Sequence, residues 1–82
     1  MTLAALIVPP ERFDEVVAVV NAHGEVAHNY ARDHKFNMWF VIATETAEEI
    51  NRVIASIEQQ TALQVFNFPK EKEFFIGLRL GA

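Results

Sequence analysis

The spacing of apolar residues changes along this chain in an order that few folds accommodate. Leu3 to Val8 is a continuous apolar run ended by Pro9-Pro10, which predicts a buried strand leading into a helix whose first turn tolerates proline. From Pro10 onward, Phe13, Val16, Val17 and Val20 fall at helical spacing. Glu11, Asp14 and Glu15 sit near the positive end of that helix dipole, and His23-Gly24 supplies a stop. Val26 to Arg32 and Phe36 to Thr44 read as extended segments separated by Asp33-His34-Lys35, a hairpin. Thr46-Ala-Glu-Glu49 is a capping box: the threonine hydroxyl bonds the third amide while Glu49 reaches back to the cap amide. Ile50, Val53, Ile54 and Ile57 then mark the clearest helical stripe in the chain. Leu63 to Phe68 is extended and Pro69 to Glu73 a charged turn. Phe74, Ile76, Leu78 and Leu80 alternate with Phe75, Gly77 and Arg79, the period of a last strand with one buried face.

The order strand, helix, strand, strand, helix, strand predicts an α+β fold. It is the ferredoxin-like βαββαβ sandwich, an antiparallel sheet with two helices on one face and the other face left for a partner or ligand. Residues 1–82 are expected to form a single domain, since 51% of the chain is hydrophobic, 22% charged, and only three residues each are Gly and Pro. A domain of this size removes only roughly 60% of its chain surface from water, so an oligomer is expected. Without cysteine there is no disulfide framework and no thiol nucleophile or ligand, which points to the cytoplasm. No segment approaches the roughly 20 apolar residues of a membrane helix. A net charge of -4, with seven scattered Lys and Arg, predicts no nucleic-acid binding.

The hairpin gathers the polar chemistry. Parity places Phe36, Met38, Phe40 and Ile42 in an apolar row beneath the helices, with Asn37, Trp39 and Val41 on the opposite face. A tight turn at His34-Lys35 sets Arg32 opposite Asn37, Tyr30 opposite Trp39 and His28 opposite Val41. A turn one residue longer would bury Arg32 among the apolar row without a partner. The resulting face suits the orientation of carboxylates and stacking on a flat conjugated ligand. It equally suits a hydrated sheet face with Trp39 as a dimer anchor. No carboxylate or third histidine stands at metal-ligand spacing from His28 and His34, so no metal site is expected. His23 reads as a helix C-terminal residue. Arg79, the single charge in an apolar strand, reaches the same open face or serves solubility at an edge.

The motif His28-Asn-Tyr-x-Arg-x-His-x-Phe-Asn-x-Trp-Phe40 resembles the signature of the sirohaem decarboxylases, proteins of the Lrp/AsnC-like group that act in haem d1 biosynthesis and in the sirohaem-dependent route to haem. Val8-Pro-Pro-Glu-Arg12, Gly24-Glu-Val-Ala-His28 and the segment from Phe66 to Leu80 also look like that family's ligand-binding half. Members usually carry an N-terminal winged helix-turn-helix domain. This chain begins almost directly at its first strand, so no DNA-binding domain is expected within it.

The resemblance implies removal of acetate carboxylates from sirohaem to give didecarboxysirohaem, with iron entering as part of the substrate and no further cofactor. It implies a homodimer or a heterodimer with a paralogous subunit. Arg32 is then the carboxylate-binding residue, His28 the proton donor or orienting group, and Tyr30 an assistant to either. His34 and Lys35 engage peripheral propionates, while Asn37 and Trp39 shape the pocket and Arg79 contributes to binding. Two other functions stay open: a non-catalytic, stand-alone effector domain of Lrp/AsnC type sensing an amino acid or haem, and a structural subunit supporting a catalytic partner.

Overall fold

The computed structural model describes residues 1–69. The sequence-predicted charged turn beyond Pro69, the last strand from Phe74 to Leu80, and Arg79 lie outside the described residues.

The chain runs β1 (Thr2–Leu6), α1 (Phe13–Asn21), β2 (Val26–Ala31), β3 (Met38–Ile42), α2 (Ala47–Thr61) and β4 (Val65–Pro69). The four strands form one antiparallel sheet in the order β2-β3-β1-β4. The expected βαββαβ order is therefore present. No described helix is long and apolar enough to cross a membrane.

Local chemistry sets the element ends. Pro10 to Arg12 form a 3-10 turn before α1, closed by the Arg12 amide donating to the Pro9 carbonyl at 2.9 Å, with proline at a first-turn position that needs no amide donor. The expected helix thus begins in the tighter form and becomes α-helical at Phe13. At α2 the Thr46 hydroxyl accepts from the Glu49 amide at 3.2 Å and donates to the Glu49 carboxylate at 3.3 Å. The carboxylate meets the hydroxyl in place of the cap amide that the capping box predicts, so one backbone donor is satisfied by this pair. Ala62 ends α2 in the left-handed region, φ 60°, its amide donating to the Glu58 carbonyl at 2.8 Å. The Glu58 carboxylate then accepts from the Val65 amide at 3.0 Å, which ties the start of β4 to the last turn of α2.

The core lies between the helices and one sheet face. Val16 and Val20 from α1, and Val53 and Ile57 from α2, pack on Leu6, Met38, Phe40, Ile42 and Val65. Met38, Phe40 and Ile42 have no exposed surface, as strand parity predicts. Burying a side chain of this size contributes about 1.5–3 kcal/mol. His23 joins the two helices: its Nδ1 donates to the Val19 carbonyl at 2.9 Å, and its Nε2 meets the Ser56 hydroxyl at 3.0 Å.

Two expectations about the hairpin need correction. Phe36 does not continue the buried row. β3 starts at Met38, the Arg32 amide donates to the Asn37 carbonyl at 3.0 Å, and Asp33 to Phe36 form a four-residue loop outside the strand pattern. The loop is two residues longer than the predicted tight turn, an even change that preserves parity, so Tyr30 still pairs with Trp39. The second correction is at His28, which does not face Val41. Ala27 pairs with Val41 and Tyr30 with Trp39, so His28 and Asn29 together oppose Phe40 in a β-bulge. His28 adopts φ 56° there. The Asn29 amide donates to the Asn21 side chain at the end of α1, 3.0 Å away.

Candidate ligand-binding face

The sheet face turned away from the helices is built from two cross-strand rows. Tyr30, Trp39, Ala5 and Phe66 form one row, and Ala27, Val41, Leu3 and Phe68 the next. Small Ala5 lies between Trp39 and Phe66 with no exposed surface, beneath the rings around it. The Trp39 and Phe68 rings stack at 5.7 Å and 25°. Phe36, released from the strand, turns its ring edge-to-face on Phe66 (5.0 Å), Phe68 (5.9 Å) and Trp39 (5.9 Å). These are favourable aromatic geometries, and they join the hairpin loop to β4 across β1. Tyr30, 45% exposed, flanks the platform on the edge strand.

The loop carrying the polar residues is organised around Phe36. Its carbonyl accepts from the Trp39 indole at 2.7 Å, and its amide donates to His34 Nδ1 at 3.1 Å. The His34 ring lies 6.1 Å from the Phe36 ring at 20°, continuing the aromatic surface to the tip of the hairpin. Arg32, His34 and Lys35 are all exposed beside it.

The structure therefore pairs Tyr30 with Trp39 on the open face and adjoins His34 to it through Phe36, while Arg32 and Lys35 are exposed in the adjoining hairpin segment. It separates two residues of the sequence-predicted set from them. The Asn37 amide is engaged on both sides by β1's continuation, accepting from the Val8 amide and donating to the Val8 carbonyl, each at 2.9 Å. It fixes the hairpin to the sheet. His28 sits in the bulge on edge strand β2, out of the row through Tyr30 and Trp39.

Sequence reasoning missed the platform formed by Phe36, Phe66 and Phe68. The alternation Phe66-Asn67-Phe68 was the available signal, because it sets two rings on one face while Asn67 on the other is bonded by the Thr2 hydroxyl.

Charge is segregated by layer. Apart from Asp33, every carboxylate among the described residues belongs to the helices or the turns joining them to the sheet. One of these is Glu15, whose carboxyl is held below its ordinary value by a hydrogen bond from Arg12 at 2.8 Å. The open face presents apolar rings, and the exposed hairpin segment next to it carries cationic Arg32 and Lys35, a combination that suits a flat anionic ligand. No cluster able to hold a metal ion occurs among the described residues.

Fold and face together define a class: an α+β sandwich domain whose helices cover one side of a sheet and whose other side carries an aromatic surface. The chain belongs to the family of the AsnC-like ligand binding domain, whose family model matches residues 1–74. Among curated proteins it is 58% identical over 80 residues to a siroheme decarboxylase NirG subunit from Paracoccus pantotrophus, covering 98% of this chain and 51% of that protein. It is 57% identical over 77 residues to the NirG subunit from Stutzerimonas stutzeri, covering 94% of this chain and 52% of the relative. It is also 43% identical over 75 residues to a siroheme decarboxylase alpha subunit from Oleidesulfovibrio alaskensis, covering 92% of this chain and 46% of the relative. The chain thus spans about half the length of the curated relatives it matches.

Proposed function

We propose that this chain is the ligand-binding part of a sirohaem decarboxylase subunit, acting on acetate side chains of sirohaem in partnership with a paralogous subunit or a second copy. The observation that carries this reading is the Phe36–Trp39–Phe68 platform, flanked by Tyr30 and His34, with Arg32 and Lys35 exposed in the adjoining hairpin segment. A conjugated macrocycle fits such a surface by stacking, and its carboxylates reach the cationic hairpin segment. An amino acid would leave most of the platform uncovered, which disfavours the small-effector reading.

Decarboxylation breaks the bond between the acetate CH2 and its carboxylate. The electron pair stays on that carbon and spreads into the conjugated macrocycle while CO2 leaves. A proton then completes a methyl group. No further cofactor is needed, since the substrate itself is the electron sink. Arg32 holds a carboxylate by a two-point contact, and Trp39 supplies a wall that sets the acetate out of the ring plane. Histidine changes charge near neutral pH and suits proton delivery, which is the role assigned to His28, with Tyr30 assisting. The bulge sets His28 on the edge of the sheet, so this role requires the ligand to extend past β2. Lys35 meets a peripheral propionate. Asn37 acts through the hairpin it fixes, and Arg79 is assigned only by position in the sequence.

The test is an anaerobic assay of His28→Ala and Arg32→Ala, alone and with the paralogous subunit. Large losses of turnover are expected. Near-normal turnover by both variants would remove the mechanism.

A further inference from the structure

β1 runs between β3 and β4, and on the open face of the sheet it carries Leu3 and then Ala5. Strand positions favour β-branched and aromatic side chains, and alanine is depleted there. Ala5 has no exposed surface even though the helices pack on the opposite face. Its cross-strand neighbours are Trp39 on one side and Phe66 on the other. Strands lie about 4.8 Å apart, so these neighbours spring from positions roughly 10 Å apart with only a methyl group between them. The Phe36 ring, 5.0 Å from the Phe66 ring and 5.9 Å from the Trp39 ring, bridges the two. The space above the Ala5 methyl is therefore filled from the hairpin loop.

We propose that Ala5 is a positioning residue: its small side chain leaves a socket in the middle of the sheet that seats Phe36, and the seated ring holds the hairpin loop in place for ligand recognition. The ligand part rests on the functional reading above, and the seating does not. Phe36 joins the loop to β4 through Phe66 and Phe68, and its carbonyl accepts from the Trp39 indole at 2.7 Å. A branched side chain at position 5 takes the volume the ring needs, because close-packed groups leave no spare space. Displacing the ring draws the Phe36 carbonyl away from the indole. His34 and Lys35, on the same loop, then lose their fixed relation to the platform.

Trp39 is the single tryptophan of the chain, so its indole proton gives one unambiguous NMR signal that reports on the Phe36 contact. Its exchange with solvent is compared in the wild type, Ala5→Val, Phe36→Ala and the double variant. Ala5→Val should speed indole exchange about tenfold while leaving the buried Ile57 amide of α2 unchanged. The double variant should exchange no faster than Phe36→Ala, since valine then has no ring to displace. Indole exchange within about twofold of wild type in Ala5→Val, equal acceleration of the Ile57 amide, or effects that multiply in the double variant each overturn the seating. An Ala5→Val chain that folds only together with Phe36→Ala supports the socket, and one that unfolds in both backgrounds overturns it. Anaerobic titration of sirohaem, with the paralogous subunit present, reads the positioning. Ala5→Val should weaken binding about tenfold and add nothing to Phe36→Ala. Full affinity in Ala5→Val with a freed indole overturns the positioning role. Wild-type protein that binds no sirohaem refutes the functional reading and the ligand part with it, while indole exchange still decides the seating.

Discussion

Val26 and Tyr30 lie four residues apart on one strand and yet face opposite sides of the sheet. Val26 pairs with Ile42 on the helix side, and Tyr30 with Trp39 on the aromatic side. A regular strand gives residues of the same parity the same face, so both placements require the extra residue at His28-Asn29. The bulge lets one short edge strand contribute to the core at its start and to the aromatic face at its end.

That bulge has a backbone cost. At φ 56° a side chain at position 28 is strained, and glycine is not. His28→Gly is expected to be about 1 kcal/mol more stable than His28→Ala in urea unfolding. Equal stabilities would contradict the left-handed geometry.

Core and face separate in a second pair of variants. Phe40→Ala empties a site with no exposed surface and is expected to cost about 3–5 kcal/mol, which leaves so small a domain largely unfolded. Trp39→Ala, on half-buried surface, should cost less stability while removing tetrapyrrole binding. Denaturant unfolding and absorbance titration of the two variants check this contrast.

Ala62 closes α2 at φ 60°, a position that glycine occupies without strain. Ala62→Gly is expected to raise stability by about 0.5–1 kcal/mol, read as a higher urea midpoint with an unchanged slope.

The division of charge between layers predicts salt-sensitive binding. Raising salt from about 0.05 to about 0.5 M should weaken binding of a polycarboxylate tetrapyrrole several-fold. Arg32→Gln and Lys35→Gln should each flatten that dependence, whereas Arg52→Gln, on α2 in the helical layer, should leave it unchanged.

The element order was legible because periods of 2 and 3.6 survive in short segments, as at Ile50, Val53, Ile54 and Ile57, and because Thr46 marks a helix start. The pairing of Tyr30 with Trp39 was legible from the turn's parity. The bulge was not, since nothing local marks a histidine for positive φ, and the need for it arises from Val26 and Tyr30 meeting different partners across the sheet. Phe36 was misplaced because its ring contacts lie 30 and 32 residues away, on Phe66 and Phe68. Asn37 looked like a ligand contact for a similar reason, its amide being claimed by Val8 only once β1 is in place.

The most direct test of the central claim is anaerobic incubation of the chain and a paralogous subunit with sirohaem, followed by mass spectrometry of the tetrapyrrole. Successive losses of CO2 ending at didecarboxysirohaem are predicted, slowed strongly by Arg32→Ala. A tetrapyrrole recovered at unchanged mass, with the wild-type proteins folded and the ligand bound, would contradict the account.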